Sequence, residues 1–378
     1  MAETPDFSSI RPYEDHEIHE VFKRLKNETT FLQLIQFLFP NYPTETMMGK
    51  LLGIKTIKEF QHEVIYPYVI ELLKNTTEGY SCSGLDKLDP KSAYLFISNH
   101  RDIILDSAIL NILIVENGFD TTEIAIGDNL LIYPWITDLV KLNRSFIVKR
   151  NIPVRQMMES STLLSTYIRY TLTSQNRSIW IAQREGRSKD GDDRTQVSLL
   201  KMLNISGKGN FADNFRQLKI VPVSISYELD PCDYLKAYEF QQKRDNPNYA
   251  KTKADDLKHM GTGLRGRKGR VHFSFGTPID SELEAIAQMD NKNDQHQALA
   301  ECIDEQIHST YKLWPGNFVA CDCVCPGNDY SKHYTPAEKK AFLDYINEHA
   351  LRLKDADFEF VYQALLEMYA NPVKNFMK

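Results

Sequence analysis

No segment of this chain reaches 18 consecutive apolar residues, so no membrane-spanning helix is expected. The first residues, Met1-Ala2-Glu3-Thr4-Pro5-Asp6, are acidic and lack the basic and apolar regions of a signal peptide. Cysteine is scarce. Cys82, Cys232, Cys302, Cys321, Cys323 and Cys325 are six in 378 residues, which is no disulfide framework and fits a reducing cytoplasm. Positive charge is also short: 45 Lys and Arg stand against 51 Asp and Glu, a formal charge of −6. Without a basic surplus to displace counterions, wholesale nucleic-acid binding is not expected. There is no internal repeat and no low-complexity block. The 42 % hydrophobic and 25 % charged residues are a globular mixture and exclude a long disordered chain.

What is present changes character along the chain. Residues 14–39 read as helix, ending in the apolar run Phe31–Phe39 before Pro40. That run, with Met47, Met48, Leu51 and Leu52 behind it, either lies in a membrane interface plane or covers the core. Residues 54–74 are a second helical pattern that Pro67 kinks or restarts. From about 92, short apolar runs alternate with helical stretches. Strands are read at 93–98, 123–126, 146–148, 178–182, 219–227 and 270–275, with helices at 103–115 and 153–173. This predicts an α/β body with a mixed, mostly parallel sheet flanked by helices across 85–285. Residues 1–84 are then an N-terminal helical, candidate membrane-interface segment, and 286–378 a helical C-terminal extension. In that extension Thr335-Pro336-Ala337-Glu338 starts a helix, and another runs from 356 to Ala370, before Pro372. Gly261–Arg270 reads as a basic, glycine-rich loop that would hold anionic lipid or donor phosphates, or simply be solvated.

The first chemical candidate is Ser98-Asn99-His100-Arg101-Asp102-Ile103-Ile104-Leu105-Asp106, a strand end, a polar turn and an apolar helix. A histidine there suits general-base work, because its ordinary pKa lies near neutral pH. A carboxylate nearby orients the ring and stabilises the imidazolium. Asp102 and Asp106 compete for that role, and either can cap the helix. Six residues turn a regular helix by roughly 240° net, so His100 and Asp106 meet only if His100 precedes the helix. Three further segments follow: Arg144–Arg150, a strand with basic residues at its end; Glu185-Gly186-Arg187-Ser188; and Ile220–Tyr227, with Pro222 inside. Arginines at strand ends suit a phosphate.

In this order the segments resemble the four blocks of the glycerolipid acyltransferases, the group that contains glycerol-3-phosphate and 1-acylglycerol-3-phosphate acyltransferases. Block one is Asn99, His100 and Asp106. Block two is Phe146 and Arg150, with Arg144 where the family has glycine. Block three is Glu185-Gly186-Arg187-Ser188, and block four Val221-Pro222-Val223 with Tyr227. Phe275-Gly276-Thr277-Pro278 resembles the strand beyond it. There are departures. Five residues separate His100 from Asp106 where four are commonest, a spacing found in branches related to aminolipid acyltransferases. Block three is one residue short, and Gln183-Arg184 replaces its Phe-Pro.

The resemblance implies fatty-acyl transfer from a thioester to a hydroxyl of glycerol 3-phosphate or a lysophospholipid. His100 would be the base and Asp106 its orienting partner. Asn99 and Arg101 flank the base as substrate-binding candidates. Glu185, Gly186 and Ser188 would shape the acceptor pocket, and Arg150 and Arg187 would hold the phosphate, with Lys149 assisting. No cofactor and no metal are implied. Acyl-CoA or acyl-carrier protein would be the donor substrate and a membrane lipid surface the partner. The place of action would be the cytoplasmic face of the cell membrane, as a peripheral protein.

Other readings are a lyso-ornithine or glycine-lipid acyltransferase, or an inactive lipid-binding homologue. Asn99-His100-Arg101-Asp102 also suggests a metallophosphoesterase turn, but no Gly-Asp-x-His precedes it. No Gly-x-Ser-x-Gly elbow supports a serine hydrolase. Cys321-Asp322-Cys323-Val324-Cys325 is too closely spaced for zinc, and as a strand it would point its side chains to opposite faces. Trp314-Pro315-Gly316-Asn317 reads as a structural turn.

Overall fold

A computed structural model of the chain describes residues 5–150 and 152–378; the first four residues of the acidic N-terminus lie outside it. Seven strands form one sheet: β1 (Tyr80–Ser83), β2 (Leu95–Ser98), β3 (Glu123–Gly127), β4 (Ser145–Val148), β5 (Ile179–Ala182), β6 (Ile220–Tyr227) and β7 (Val271–Phe275). Their order is β1-β7-β6-β2-β5-β3-β4. The five strands from β6 to β4 run parallel, and β7 turns against β6 with β1 parallel to it. The expected mixed, mostly parallel sheet flanked by helices is therefore present.

Why the central strands read as unbroken apolar runs is visible in their two faces. Leu95 and Ile97 enter one core with Phe146, Ile179 and Ile181, while Phe96, Trp180, Val221 and Val223 enter the other. Helices Val154–Thr173, Val197–Asn204 and Lys292–Ser309 cover the first face, and Leu105–Glu116 and Tyr66–Thr76 the second. Pro222 sits in an interior strand, not at an edge. Its missing N–H falls just beyond the β6–β7 ladder, which begins at Val223–Phe275, so little pairing is lost.

The boundaries differ from expectation. β1 already belongs to the sheet at residue 80, so the body starts before 85. Leu283, Ile286, Leu299, Ile303 and Ile307 join the first core, so the body also runs past 285. The extension proper is the helices Pro315–Val324, Pro336–Ala350 and Phe358–Phe376, with a core of their own. Asp233, fully buried at the start of helix Asp233–Asp245, fastens them. It accepts from the hydroxyls of Tyr345 and Tyr369 at 2.8 Å each and pairs with His349 Nδ1 at 2.5 Å.

Several local expectations are corrected. The helix at 14–39 breaks at 26–28 into Ile18–Leu25 and Thr29–Leu38. The 54–74 pattern, by contrast, restarts at Pro67 as expected: a π-helical turn, Gln61–Ile65, leads into a helix that begins at Tyr66. The last helix does not stop before Pro372 but carries it inside. The carbonyl of Met368, which Pro372 leaves without its usual donor, lies against Gly191, where a Cβ would come to 2.2 Å. The segment 261–270 is mostly not a loop. Helix Lys253–Arg265, boxed in by Thr252 and Asp255, takes in both Gly261 and Gly263. Cys321 and Cys323 lie on a helix and not on a strand, and Trp314 is the residue that opens that helix.

Candidate active site

The turn after β2 places His100 before the helix that begins at Leu105, which removes the angular conflict with Asp106. The two aspartates divide the roles. Asp102 caps: its Oδ1 accepts from the backbone N–H groups of Ile104 and Leu105 at 2.9 and 2.8 Å. Asp106, in the first helical turn and fully buried, meets His100 Nδ1 with Oδ2 at 2.8 Å. The same oxygen accepts from the backbone N–H groups of Arg101 and Asp102 at 2.6 and 3.1 Å.

With Nδ1–H committed to Asp106, the lone pair of His100 sits on Nε2, which has no hydrogen-bond partner among the described residues. The ring stands edge-on to Trp180 at 5.5 Å, and the side chain keeps 13 % of its surface exposed. Tyr227, at the end of β6, is buried beside Asp106 and Asp102. Burial and their charges push its phenol well above the usual range, so it stays neutral. Burial, then the Asp106 charge, raise the pKa of Asp102.

A buried network holds the turn from below. Asn99 bridges to β6: its Nδ2 donates to the Ile225 carbonyl at 2.9 Å and its Oδ1 accepts from the Ile225 N–H at 2.7 Å. Asn99 Nδ2, Arg101 Nη2 and the Tyr311 hydroxyl all donate to Oδ2 of Asp193, at 3.1, 2.7 and 2.5 Å. His308 Nε2 contacts the Asp193 carbonyl at 2.6 Å. Burial opposes the Arg101 charge most strongly, but Asp193, with Tyr311, Asp230 and Asp106, together hold the guanidinium above its ordinary pKa. Asn99 and Arg101, singled out in the sequence as substrate-binding candidates, thus have their side chains engaged within the protein. Asp193, Tyr311 and His308 escaped sequence reading, because nothing local marks a partner a hundred residues away.

Blocks two and three follow β4 and β5 and meet across the end of β3, which lies between those strands. Arg150 Nη1 pairs with the exposed Glu185 at 2.9 Å, and Lys149 is exposed. The N–H of Ser188 donates to the His100 carbonyl at 2.8 Å, which ties the third block to the turn. Gly186 is exposed with φ +72°, a conformation glycine adopts without penalty. Arg187 is buried. Its Nη2 donates to His259 Nδ1 at 2.6 Å, and its Nη1 has no partner. Burial, and then the Arg187 charge, push the His259 pKa down to about 2. Arg144, where the family has glycine, has φ +55°. It donates to Thr121 at 2.8 Å and to Asp120 at 3.1 Å, which helps hold that backbone.

Tyr80–Tyr227 matches the family model Acyltransferase. These residues form an acyltransferase-family domain. No curated protein matches the chain. Among solved structures it is similar to the 1-acyl-sn-glycerophosphate (LPA) acyltransferase PlsC from Thermotoga maritima. Identity is 11 %, over 79 % of this chain and 97 % of that one, with a TM-score of 0.36. At that level the likeness bears on neither substrate nor mechanism.

The acyltransferase domain opens on β1 and closes on the last residue of β6, so His100, Asp106, Arg150 and block three all fall inside it. Two expectations about its surroundings are corrected. Phe31, Ile35, Met47, Met48 and Leu51 do not face outward. They pack with Leu142 in a core of their own, because helices Ile18–Leu25, Thr29–Leu38 and Thr44–Gly53 turn these faces inward. The cations at 264–270 are largely engaged. Lys268 is fully buried and donates to the carbonyls of Leu264 and Gly266, Arg267 pairs with Glu78, and Arg270 pairs with Glu228. No described helix is long and apolar enough to cross a membrane. Among the described residues, no three His, Cys, Asp or Glu side chains gather as a metal site would. Cys321 and Cys325 bring their sulfurs to 3.6 Å, and burial, then Cys325, push the Cys321 thiol up to about 12.

Proposed function

We propose that the protein transfers a fatty acyl chain from an acyl thioester to a hydroxyl of glycerol 3-phosphate or a lysophospholipid, in membrane phospholipid synthesis. The observation that carries this reading is the Asp106–His100 pair. Its outward nitrogen is free, and it stands at the strand-end edge of an acyltransferase-family domain. Nε2 takes the hydroxyl proton as that oxygen attacks the thioester carbonyl. Asp106 orients the ring and stabilises the imidazolium, while the backbone N–H groups of Arg101 and Asp102 hold the Asp106 carboxylate in place. The tetrahedral intermediate then collapses. The carbon–sulfur bond breaks, the imidazolium returns its proton to the leaving thiolate, and an ester and a free thiol remain.

An anionic headgroup has two arginines to meet. Arg187 carries a buried, unpartnered Nη1, and Arg150, at the end of β4 one strand beyond β3, reaches block three through Glu185. Donor thioesters of CoA and of carrier protein share the reacting group, and the chain acts as a peripheral protein on the cytoplasmic membrane face.

The test uses purified protein, acyl-CoA and acyl-carrier protein, and a panel of acceptors: glycerol 3-phosphate, lysophosphatidate and a lyso-aminolipid. Thiol release with formation of the matching ester is expected. The His100→Ala variant should stay folded and lose about a hundredfold or more of turnover. Acyl binding without thiol release would instead make the chain a lipid-binding homologue, and near wild-type turnover by His100→Ala would overturn the mechanism.

A further inference from the structure

Most large apolar side chains of this protein are buried, but the first two turns of helix Val154–Thr173 are an exception. Val154, Met157 and Met158 are 82 %, 51 % and 68 % exposed. Their i, i+3, i+4 spacing puts them on one stripe of the helix. Arg155 and the strand-end Lys149 flank the stripe, both exposed and without an ion pair among the described residues. Arg150 belongs to the same strand end, with Glu185 as its partner, and Glu159 is the acidic residue on these turns. The neighbouring β3 leads to an exposed ring, Tyr133, stacked with Trp135. The two exits adjoin, since Gly127 pairs with Val148 and the Arg150 N–H donates to Asp128 at 3.1 Å.

We propose that this stripe, with Lys149 and Arg155, is the surface by which the protein docks on an anionic lipid bilayer. The proposal rests on the lipid acceptor argued above. Charge complementarity selects the occupant: unpaired cations beside an apolar stripe suit an interface of acyl chains and anionic headgroups. Position adds to it. β4 and β2 are separated by two strands on one parallel edge, so the stripe's root lies roughly 14 Å from His100 along the edge. A protein seated there presents its strand-end edge to the headgroup layer. The N-terminal helices pack most of their apolar side chains into a core; Phe37 and Tyr42 are exposed there, but not as a stripe at helical spacing.

Co-sedimentation with phosphatidylglycerol-containing vesicles tests the proposal. Wild type, Met157→Asp/Met158→Asp and Arg155→Glu are compared, with thermal melting as the folding check. Turnover on a short-chain, water-soluble acceptor is measured beside it. The double variant should bind vesicles at least about tenfold more weakly and keep its melting temperature and soluble turnover. Arg155→Glu should weaken binding to anionic but not to zwitterionic vesicles, and added salt should do the same. Vesicle binding unchanged in the double variant, or absent in wild type, overturns the proposal. So does loss of carrier-protein-dependent turnover alone, with vesicle binding intact, which would make the stripe a carrier-protein site. If the vesicle results hold but wild type releases no thiol from any donor, the surface stands and the acyl-transfer reading falls.

Discussion

Arg101 Nη2 donates to Asp193 Oδ2 at 2.7 Å, and that one oxygen also takes Asn99 and Tyr311. The residues on both sides of His100 are thereby pinned to a single buried carboxylate. Asp193→Ala leaves the Arg101 guanidinium buried and uncompensated, a loss of about 3–5 kcal/mol by urea denaturation. Asp193→Asn keeps an acceptor and should lose less. If Asp193 positions the turn, the Asn variant should show a fallen kcat with little change in KM for the thioester. A fall in stability alone would make it purely structural.

Gly263 touches the same turn from outside. A Cβ there would come to 2.1 Å from Asp102 Oδ2, closer than real atoms approach. Gly263→Ala must displace the Asp102 cap and should cost about 1–3 kcal/mol, with a drop in turnover. Gly261→Ala is the control. Its Cβ meets only the flexible end of Arg265 at 3.0 Å, so melting should be unchanged or raised.

His259 predicts a pH dependence. Its folded pKa lies at about 2, against an ordinary 6.5, with burial and then Arg187 as causes. Below 6.5 the unfolded chain binds a proton that the folded chain refuses until far lower pH. The stability of this site is therefore complete above 6.5 and drains away as pH falls toward 2. Between pH 7.5 and 5.5 wild type should lose about 1 kcal/mol more than His259→Gln in urea titrations. Parallel curves for the two proteins would contradict this.

Tyr369 joins the C-terminal extension to the domain. Its hydroxyl donates to Asp233 at 2.8 Å and accepts from the Asp230 N–H at 2.9 Å. Tyr369→Phe strands that N–H and should lower stability by about 2 kcal/mol. Asp230 pairs with Lys236, whose ammonium donates to the Arg101 carbonyl at 3.0 Å, so a small fall in kcat should accompany the fall in melting temperature.

Much of the sheet was legible because buried parallel strands announce themselves locally. Leu95-Phe96-Ile97 and Ile179-Trp180-Ile181 are apolar on both faces, and few other structures tolerate that in so short a run. β1, Tyr-Ser-Cys-Ser, was missed because it is polar and half exposed beside β7. Gly261 and Gly263 argued for a loop. Propensity lost there to packing, since the helix must pass Asp102 where only glycine fits.

The sequence by itself determined the α/β class, the order of the four blocks, and the presence of a histidine and two aspartates at a strand-to-helix turn. Those are properties of neighbours in the chain, set by periodicity and capping. Only the tertiary structure decided that Asp106 holds His100 while Asp102 caps, and that Asp193 and Tyr311 secure the turn. It also decided that Phe31, Ile35, Met47, Met48 and Leu51 are buried while Val154, Met157 and Met158 are not. Each of these depends on which surfaces meet after the chain has folded. Apolar character says only that a residue gains by leaving water, and the packing of distant elements settles which ones do.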